Sequence, residues 1–180
     1  MIFFIIVSFV IAQRLIEVSV AKRNEKRMLR KGAYEVGASH YPIMILLHVS
    51  FFISLIIEVL LVDRPLSPIF LLLFIIFLGT QALRIWCLST LGEYWNTKII
   101  ILPGANVVKK GPYKYIRHPN YLVVCIEILL LPTMFQAYFT AIIFTLLNFI
   151  MLSVRIPMEE KALMEATNYT TEFKKKITAN

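Results

Sequence analysis

The sequence predicts an all-α integral membrane bundle of about five transmembrane helices, with a helical hairpin near the C-terminus and a cytoplasmic helix after it. Three observations carry that prediction. Hydrophobic residues make up 58% of the 180-residue chain and the mean hydropathy is +0.72, whereas soluble domains hold about 45–50% apolar residues. Several apolar stretches run unbroken for about the 20 helical residues that a hydrocarbon core requires. The basic residues gather in three segments, and an odd number of spans puts all three on one side of the membrane.

Taken in order, the first span covers residues 2–20 and opens on Met1-Ile2-Phe3-Phe4-Ile5-Ile6. It has no basic n-region and no small-residue cleavage site, so it reads as a retained span rather than a secretory signal. The second covers 42–62 and ends at the turn Asp63-Arg64-Pro65; the third covers 68–88. Residues 89–120 are polar and mixed. Residues 120–134 and 137–154 are apolar again, separated by a tight connection at Gln136, and form the hairpin. The tail, 155–180, reads as a surface helix with Pro157 in its first turn, where a missing N–H costs nothing. Glu159 and Glu160 then sit near the positive end of its dipole. The whole chain, 1–180, reads as one membrane-embedded domain.

The formal net charge is +8. Its carriers are Lys22, Arg23, Lys26, Arg27, Arg30 and Lys31 after the first span, Lys98, Lys109, Lys110, Lys114 and Arg117 after the third, and Arg155, Lys161 and Lys174-Lys175-Lys176 in the tail. Placed beside spans, these cations suit membrane lipid headgroups and topology rather than nucleic acid. They put the C-terminus and the polar segments on the cytoplasmic face of what reads as a bacterial plasma membrane. Nothing calls for an obligate protein partner. Cys87 and Cys125 fall inside apolar segments without metal-ligand spacing, so they read as small reduced core residues and no metal site is expected.

Two polar constellations stand out. The first is Gly111-Pro112-Tyr113 followed by Arg117-His118-Pro119-Asn120-Tyr121. Gly-Pro makes a turn, Pro119 drives His118 out of helical geometry, and Pro119 itself suits the first position of a helix. That helix start offers unpaired N–H groups suited to a carboxylate, and the tyrosines offer faces for a ring or a cation. The bland alternative is an interfacial belt of Tyr and Arg. The second constellation is Arg155-Ile156-Pro157-Met158-Glu159-Glu160. Taken alone, Arg155 snorkels to the interface and the glutamates begin a solvated helix.

Together, and in that order and spacing, the two constellations resemble the isoprenylcysteine carboxyl methyltransferase family of membrane enzymes. Its pattern is Gly-x-Tyr, Arg-His-Pro-x-Tyr, a helical hairpin, then Arg-x-x-x-Glu-Glu. The resemblance covers roughly residues 70–175. It implies an S-adenosyl-L-methionine-dependent O-methyltransferase acting on a lipid-like small-molecule or lipidated acceptor. Val107, Val108, Tyr113, His118, Pro119, Asn120 and Tyr121 would line the cofactor site, and Glu159 would bind the cofactor's polar end. Arg155 would be the catalytic and substrate-binding residue facing the acceptor. Gln13-Arg14-Leu15-Ile16-Glu17 and the segment Ala21-Lys22-Arg23-Asn24-Glu25-Lys26 look closest to a bacterial branch resembling alkylpyrone O-methyltransferases. One position departs from the pattern: where many members place a His eight residues before the Gly-x-Tyr tyrosine, this chain has Ala105, followed by Asn106.

Arg-His-Pro-x-Tyr also occurs in phospholipid N-methyltransferases and in membrane sterol reductases. An NADPH-dependent reductase using Glu127 is therefore one alternative, and a non-catalytic membrane scaffold or carrier is another. Within the spans, Arg14 and Glu17 lie three apart and are expected to pair. Glu127 is expected to face inward against Arg84, His48 or Arg14. Glu58 reads as interfacial, His48 as a hydrogen-bonded core residue, and Tyr94 and Trp95 as belt residues.

Overall fold

The computed structural model describes residues 1–174. Lys175 and Lys176 of the expected basic tail, with the four residues after them, lie outside the described residues. Among the described residues the regular structure is helical apart from a short ribbon. Helices α1 (Ile2–Arg30), α2 (Tyr41–Val62), α3 (Phe70–Leu91), α4 (Pro119–Met134), α5 (Tyr138–Ala166) and α6 (Tyr169–Lys174) are joined by turns, and strands β1 (Tyr34–Val36) and β2 (Ile99–Ile101) pair antiparallel. Among the described residues, four helical stretches are long and apolar enough to cross a membrane: α1, Ala38–Val62, Phe70–Tyr94 and α5. The apolar α4 has 16 residues, about 24 Å at 1.5 Å per residue, short of a 30 Å hydrocarbon core. The expected five apolar helices are present.

The described chain forms two compact units. The first holds α1, the ribbon, residues 91–109 and the chain from Pro157 on. Tyr34, Glu35 and Val36 pair with Ile101, Ile100 and Ile99. One side of the ribbon carries Ile100 against Met28 and Ala33. The other carries Ile99 and Ile101 against Ala162, with Val36, Met158, Leu163 and Ala166 packed around them.

That packing explains a correction. Pro157 does not open a new helix; it lies inside α5, which runs unbroken to Ala166. An interior proline costs about 3 kcal/mol. Burying two or three side chains, at about 1.5–3 kcal/mol each, offsets it, and Ala162 and its neighbours do so on β2. Trp95 is a second correction. Only 3% exposed, it is a buried residue and not a lipid-facing belt residue. The side-chain amide of Asn24 on α1 donates to the carbonyls of Gly92 (3.1 Å) and Trp95 (2.8 Å), holding this turn in place.

The ribbon is tied to α1 by charge as well. Lys98 Nζ donates to Glu25 and to Glu35, each at 2.9 Å, and these two carboxylates raise its pKa above the ordinary 10.5. A raised lysine pKa means that the folded chain holds the proton more tightly. The contribution to stability is therefore complete below 10.5 and disappears as pH rises through the higher folded value. Thermal midpoints should be flat in this respect through neutral pH and fall above pH 10.5, less steeply in Lys98→Met.

The second unit holds α2, α3, α4 and α5 up to Ile156. Phe51 and Phe144 pack edge to face at 5.6 Å, as do Phe70 and Phe135 at 6.0 Å. Glu127 of α4 is buried and accepts from Gln81 Nε2 (2.7 Å) and Arg84 Nε (3.0 Å) of α3, so Arg84, one of its three candidate partners, is paired with it. In the first unit Arg14 and Glu17 pair as the spacing implies, and Gln13 adds a hydrogen bond at 3.1 Å. His48 shares a hydrogen bond with the Met44 carbonyl at 2.8 Å.

Glu58 has a structural task that its interfacial reading missed. Ala137, the residue before α5, has no side-chain acceptor for the helix's first N–H groups. Glu58 supplies one from α2, accepting from the backbone N–H of Phe139 (3.1 Å) and Thr140 (2.8 Å) and from the Thr140 hydroxyl (2.7 Å). A carboxylate at a helix N-terminus satisfies orphan donors and complements the dipole. Glu58→Ala should lower stability by about 1–2 kcal/mol, read as a drop in the thermal midpoint of the detergent-solubilised protein. Glu58→Gln, which keeps an acceptor oxygen, should lose less.

Candidate functional site

In the second unit, the Gly-Pro element forms a 3-10 turn, Gly111–Lys114, in which Pro112 and Tyr113 are buried. Gly111 has φ +51°, and a Cβ there would stand 2.6 Å from Thr90 Oγ1 and 2.9 Å from Trp86 Nε1. The turn therefore sits directly against α3, an approach only glycine permits. Gly111→Ala would force a left-handed alanine and oblige Thr90 to give up its 2.7 Å hydrogen bond to the Trp86 carbonyl. We expect a loss of about 2–3 kcal/mol, measured as a fall in thermal midpoint.

After this turn Tyr115 and Ile116 are exposed beside Lys114 and Arg117, as an interfacial segment would be. His118 is extended out of helical geometry (φ −126°, ψ 63°) and Pro119 is the first residue of α4, the arrangement that the His-Pro pair dictates. One turn of helix brings the Tyr121 ring back over His118, stacked at 5.4 Å between centroids. Asn120 is half-buried, and its Oδ1 is shielded from solvent with no hydrogen-bond partner.

Arg155 of α5 reaches this group. It is 6% exposed, its Nε donates to the Tyr121 hydroxyl at 2.9 Å, and its guanidinium carbon lies 6.0 Å from the Tyr121 ring centroid. A snorkelling arginine would extend its head toward water. This one is held inside by the last residue of the Arg-His-Pro-x-Tyr motif. The two constellations, 34 residues apart in the chain, thus meet at a hydrogen bond.

In the first unit, residues 104–109 are held by the chain's C-terminal part. Gly104 N–H donates to the Ala166 carbonyl (2.8 Å). Asn168 accepts from the Val107 N–H (2.8 Å) and donates to Asn106 Oδ1 (3.1 Å). Lys109 donates to the Glu172 carbonyl and lies 5.3 Å from the Phe173 ring centroid. Asn106, next to the departing Ala105, is thus engaged by Asn168. Val107 and Val108 are half-buried, on a segment this clasp fixes. Glu159 is half-buried on α5, four residues beyond Arg155; its neighbour Glu160 accepts from the Tyr169 hydroxyl at 3.0 Å. No local sequence signal marked Asn168; an Asn after a helix end is unremarkable until its partners, 61 and 62 residues back, are known.

Among the described residues no group of three His, Cys, Asp or Glu side chains gathers where it could hold a metal ion. Cys87 and Cys125 are free thiols, the latter accepting from Asn148 Nδ2 at 3.3 Å.

Comparison with known proteins agrees with the motifs. The chain is 48% identical over 163 residues to Uncharacterized protein YpbQ of Bacillus subtilis (strain 168), covering 91% of this chain and 97% of that protein. It is 30% identical over 155 residues to an uncharacterized protein of Haemophilus influenzae, covering 86% and 90%. No solved structure matches it. Residues 70–165, more than half of the chain and the part that holds both constellations, match one family, and the chain belongs to it: the isoprenylcysteine carboxyl methyltransferase (ICMT) family.

Proposed function

We propose that the protein transfers a methyl group from S-adenosylmethionine to an anionic oxygen, a carboxylate or an acidic hydroxyl, on a lipid-like acceptor. The observation that carries this is the Arg155–Tyr121 hydrogen bond, which joins the two motifs of the family pattern through a buried cation. Family membership supports methyl transfer and the cofactor, since enzymes of this family use S-adenosylmethionine. The acceptor class is our reading of the chemistry.

The residues present suit such a cofactor. Asn120 keeps a shielded oxygen that a ligand N–H or O–H would satisfy. His118 and Tyr121 form a stacked aromatic pair beside which a flat ring or a cation is stabilised. Tyr113 and Pro119 would add apolar lining; the family pattern, rather than any contact seen here, assigns Val107, Val108 and Glu159 to the cofactor as well, Glu159 for a positively charged ammonium end. When bound, S-adenosylmethionine supplies an electrophilic methyl group on a sulfonium.

The chain's own task is orientation and exclusion of water, the two requirements of an in-line displacement that consumes opposite charges. Arg155 holds the acceptor oxygen by charge-assisted hydrogen bonds, and Tyr121 fixes the plane from which it does so. A carboxylate acceptor is already ionised at neutral pH and needs no general base. The basic residues at the C-terminal end of α1 and those following α3 favour placing this chemistry at the cytoplasmic face, where a water-soluble cofactor arrives, while a lipid-like acceptor arrives from the bilayer. The sterol-reductase alternative has no observation in its favour: Glu127, which it would use, is bound to Arg84 and Gln81.

The test is saturable binding of labelled S-adenosylmethionine by the purified protein, abolished by Tyr121→Ala or Glu159→Ala. Mass spectrometry of lipid extracts with and without the protein should then reveal an acceptor heavier by CH2. Absence of binding by the intact protein would overturn the proposal.

A further inference from the structure

Helix α1 continues well past its apolar span, and the two sides of that extension differ completely. Ala21, Asn24 and Met28 are buried. The Ala21 carbonyl accepts from Asn96, Asn24 holds the 92–95 turn, and Glu25 beside them is paired with Lys98. The opposite side carries Ser19, Lys22, Arg23, Lys26, Arg27 and Arg30, which together line a shallow recess. Their spacing, i, i+3, i+4, i+7, i+8 and i+11, is that of a single helical face.

The recess holds five cations and no acid. The nearby carboxylates of the same unit are engaged elsewhere: Glu25 and Glu35 with Lys98, and Glu93 with Lys31. Among the described residues none of the five cations has an ion-pair partner. Five like charges within about 12 Å of helix (eight residues at 1.5 Å) repel one another, and an anion seated among them relieves that repulsion.

What lies immediately before the recess identifies the anion. On the same side of α1, one turn before Ser19, Leu15 and Ile16 are exposed at 64% and 65%, and Val20, one turn after Ile16 at the edge of the recess, at 41%. One continuous strip of helix surface therefore passes from exposed aliphatic side chains to exposed cations where the apolar span ends. That profile, acyl chain followed by anionic headgroup, is that of a phospholipid lying along the helix. A soluble polyanion would match the cations and leave the aliphatic part without a role.

We propose that this strip is a binding site for an anionic phospholipid, with acyl chains along Leu15, Ile16 and Val20 and the phosphodiester held by Lys22, Arg23, Lys26 and Arg27. The site is distinct from the methyl-transfer residues and does not depend on that activity. Native mass spectrometry of the intact detergent-solubilised chain, titrated with phosphatidylglycerol or phosphatidylcholine of matched acyl chains, tests it. The wild type should retain phosphatidylglycerol at least about tenfold better, given the attraction that each Lys or Arg near a surface exerts on anionic lipid. The triple variant Arg23→Gln, Lys26→Gln, Arg27→Gln should lose that preference. A control that removes the same charge elsewhere, Lys110→Gln, Lys114→Gln, Lys161→Gln, should keep it. The proposal is overturned if the triple variant retains phosphatidylglycerol like the wild type, if the control loses it equally, or if phosphatidylcholine binds as well.

Discussion

Arg155→Ala should lower kcat/KM for methyl transfer by about a hundred- to a thousandfold, the loss typical of removing one donor aimed at a reacting oxygen, while labelled S-adenosylmethionine still binds saturably. The expected separation follows from what the side chain touches. Arg155 is anchored through Nε to Tyr121, and the role proposed for it is toward the acceptor rather than the cofactor. Arg155→Lys should rescue little, because an ammonium cannot reproduce a guanidinium fork held by its Nε. Tyr121→Phe keeps the ring against His118 and deletes only the hydroxyl that positions Arg155. A hydrogen bond to a charged group contributes about 1.5–3 kcal/mol, so kcat/KM should fall about ten- to a hundredfold. An Arg155→Ala protein with wild-type kcat/KM would remove the residue from the reaction and leave it the interfacial role that its position at a span end suggests.

Much of this arrangement is legible in the sequence because it is local. Apolar runs of about 20 residues announce spans, His-Pro announces a helix start, and Arg14 and Glu17, three apart, announce a pair. The meeting of Arg155 with Tyr121 is legible for another reason: the order and spacing of two motifs match a family. What stays hidden depends on partners distant in the chain. The run Ile99-Ile100-Ile101 has no alternation to mark it as a strand, and its partner β1 lies more than 60 residues earlier.

Pro157 reads as a helix start until the packing of Ala162, Met158 and Leu163 on that strand is known. Trp95 reads as a belt residue because aromatic residues near span ends usually are, yet here the turn that carries it is folded in and held by Asn24. Glu58 did have a signal in retrospect. Helix α5 starts after Ala137 without a capping side chain of its own, and helices that begin that way need a donated acceptor. Glu58, the charged residue near the end of the second span, was a candidate to supply it.

Glu127→Leu should destabilise the fold by about 3–5 kcal/mol, the cost of stranding one member of a buried ion pair. Arg84 is 2% exposed on a helix long and apolar enough to span the membrane, where water cannot replace the carboxylate it faces. Arg84→Met should cost a similar amount by stranding Glu127. The double variant Arg84→Met, Glu127→Leu should recover most of the loss, because removing both charges removes the desolvation penalty along with the attraction. Midpoints of thermal or denaturant unfolding in one detergent, for the wild type and three variants, give the coupling directly.

The same cycle bears on function. Glu127 lies six residues after Tyr121 on α4, and its bonds to Gln81 and Arg84 fix α4 against α3. Tethering of that kind is a packing role, so methyl transfer should return with stability in the double variant. A double variant that is stable yet inactive would mean that the Glu127 carboxylate takes part in the chemistry itself, the role that a reductase would give it. A Glu127→Leu protein within about 1 kcal/mol of wild type would show instead that water or lipid headgroups reach Arg84, and that this part of α3 and α4 is not buried in hydrocarbon.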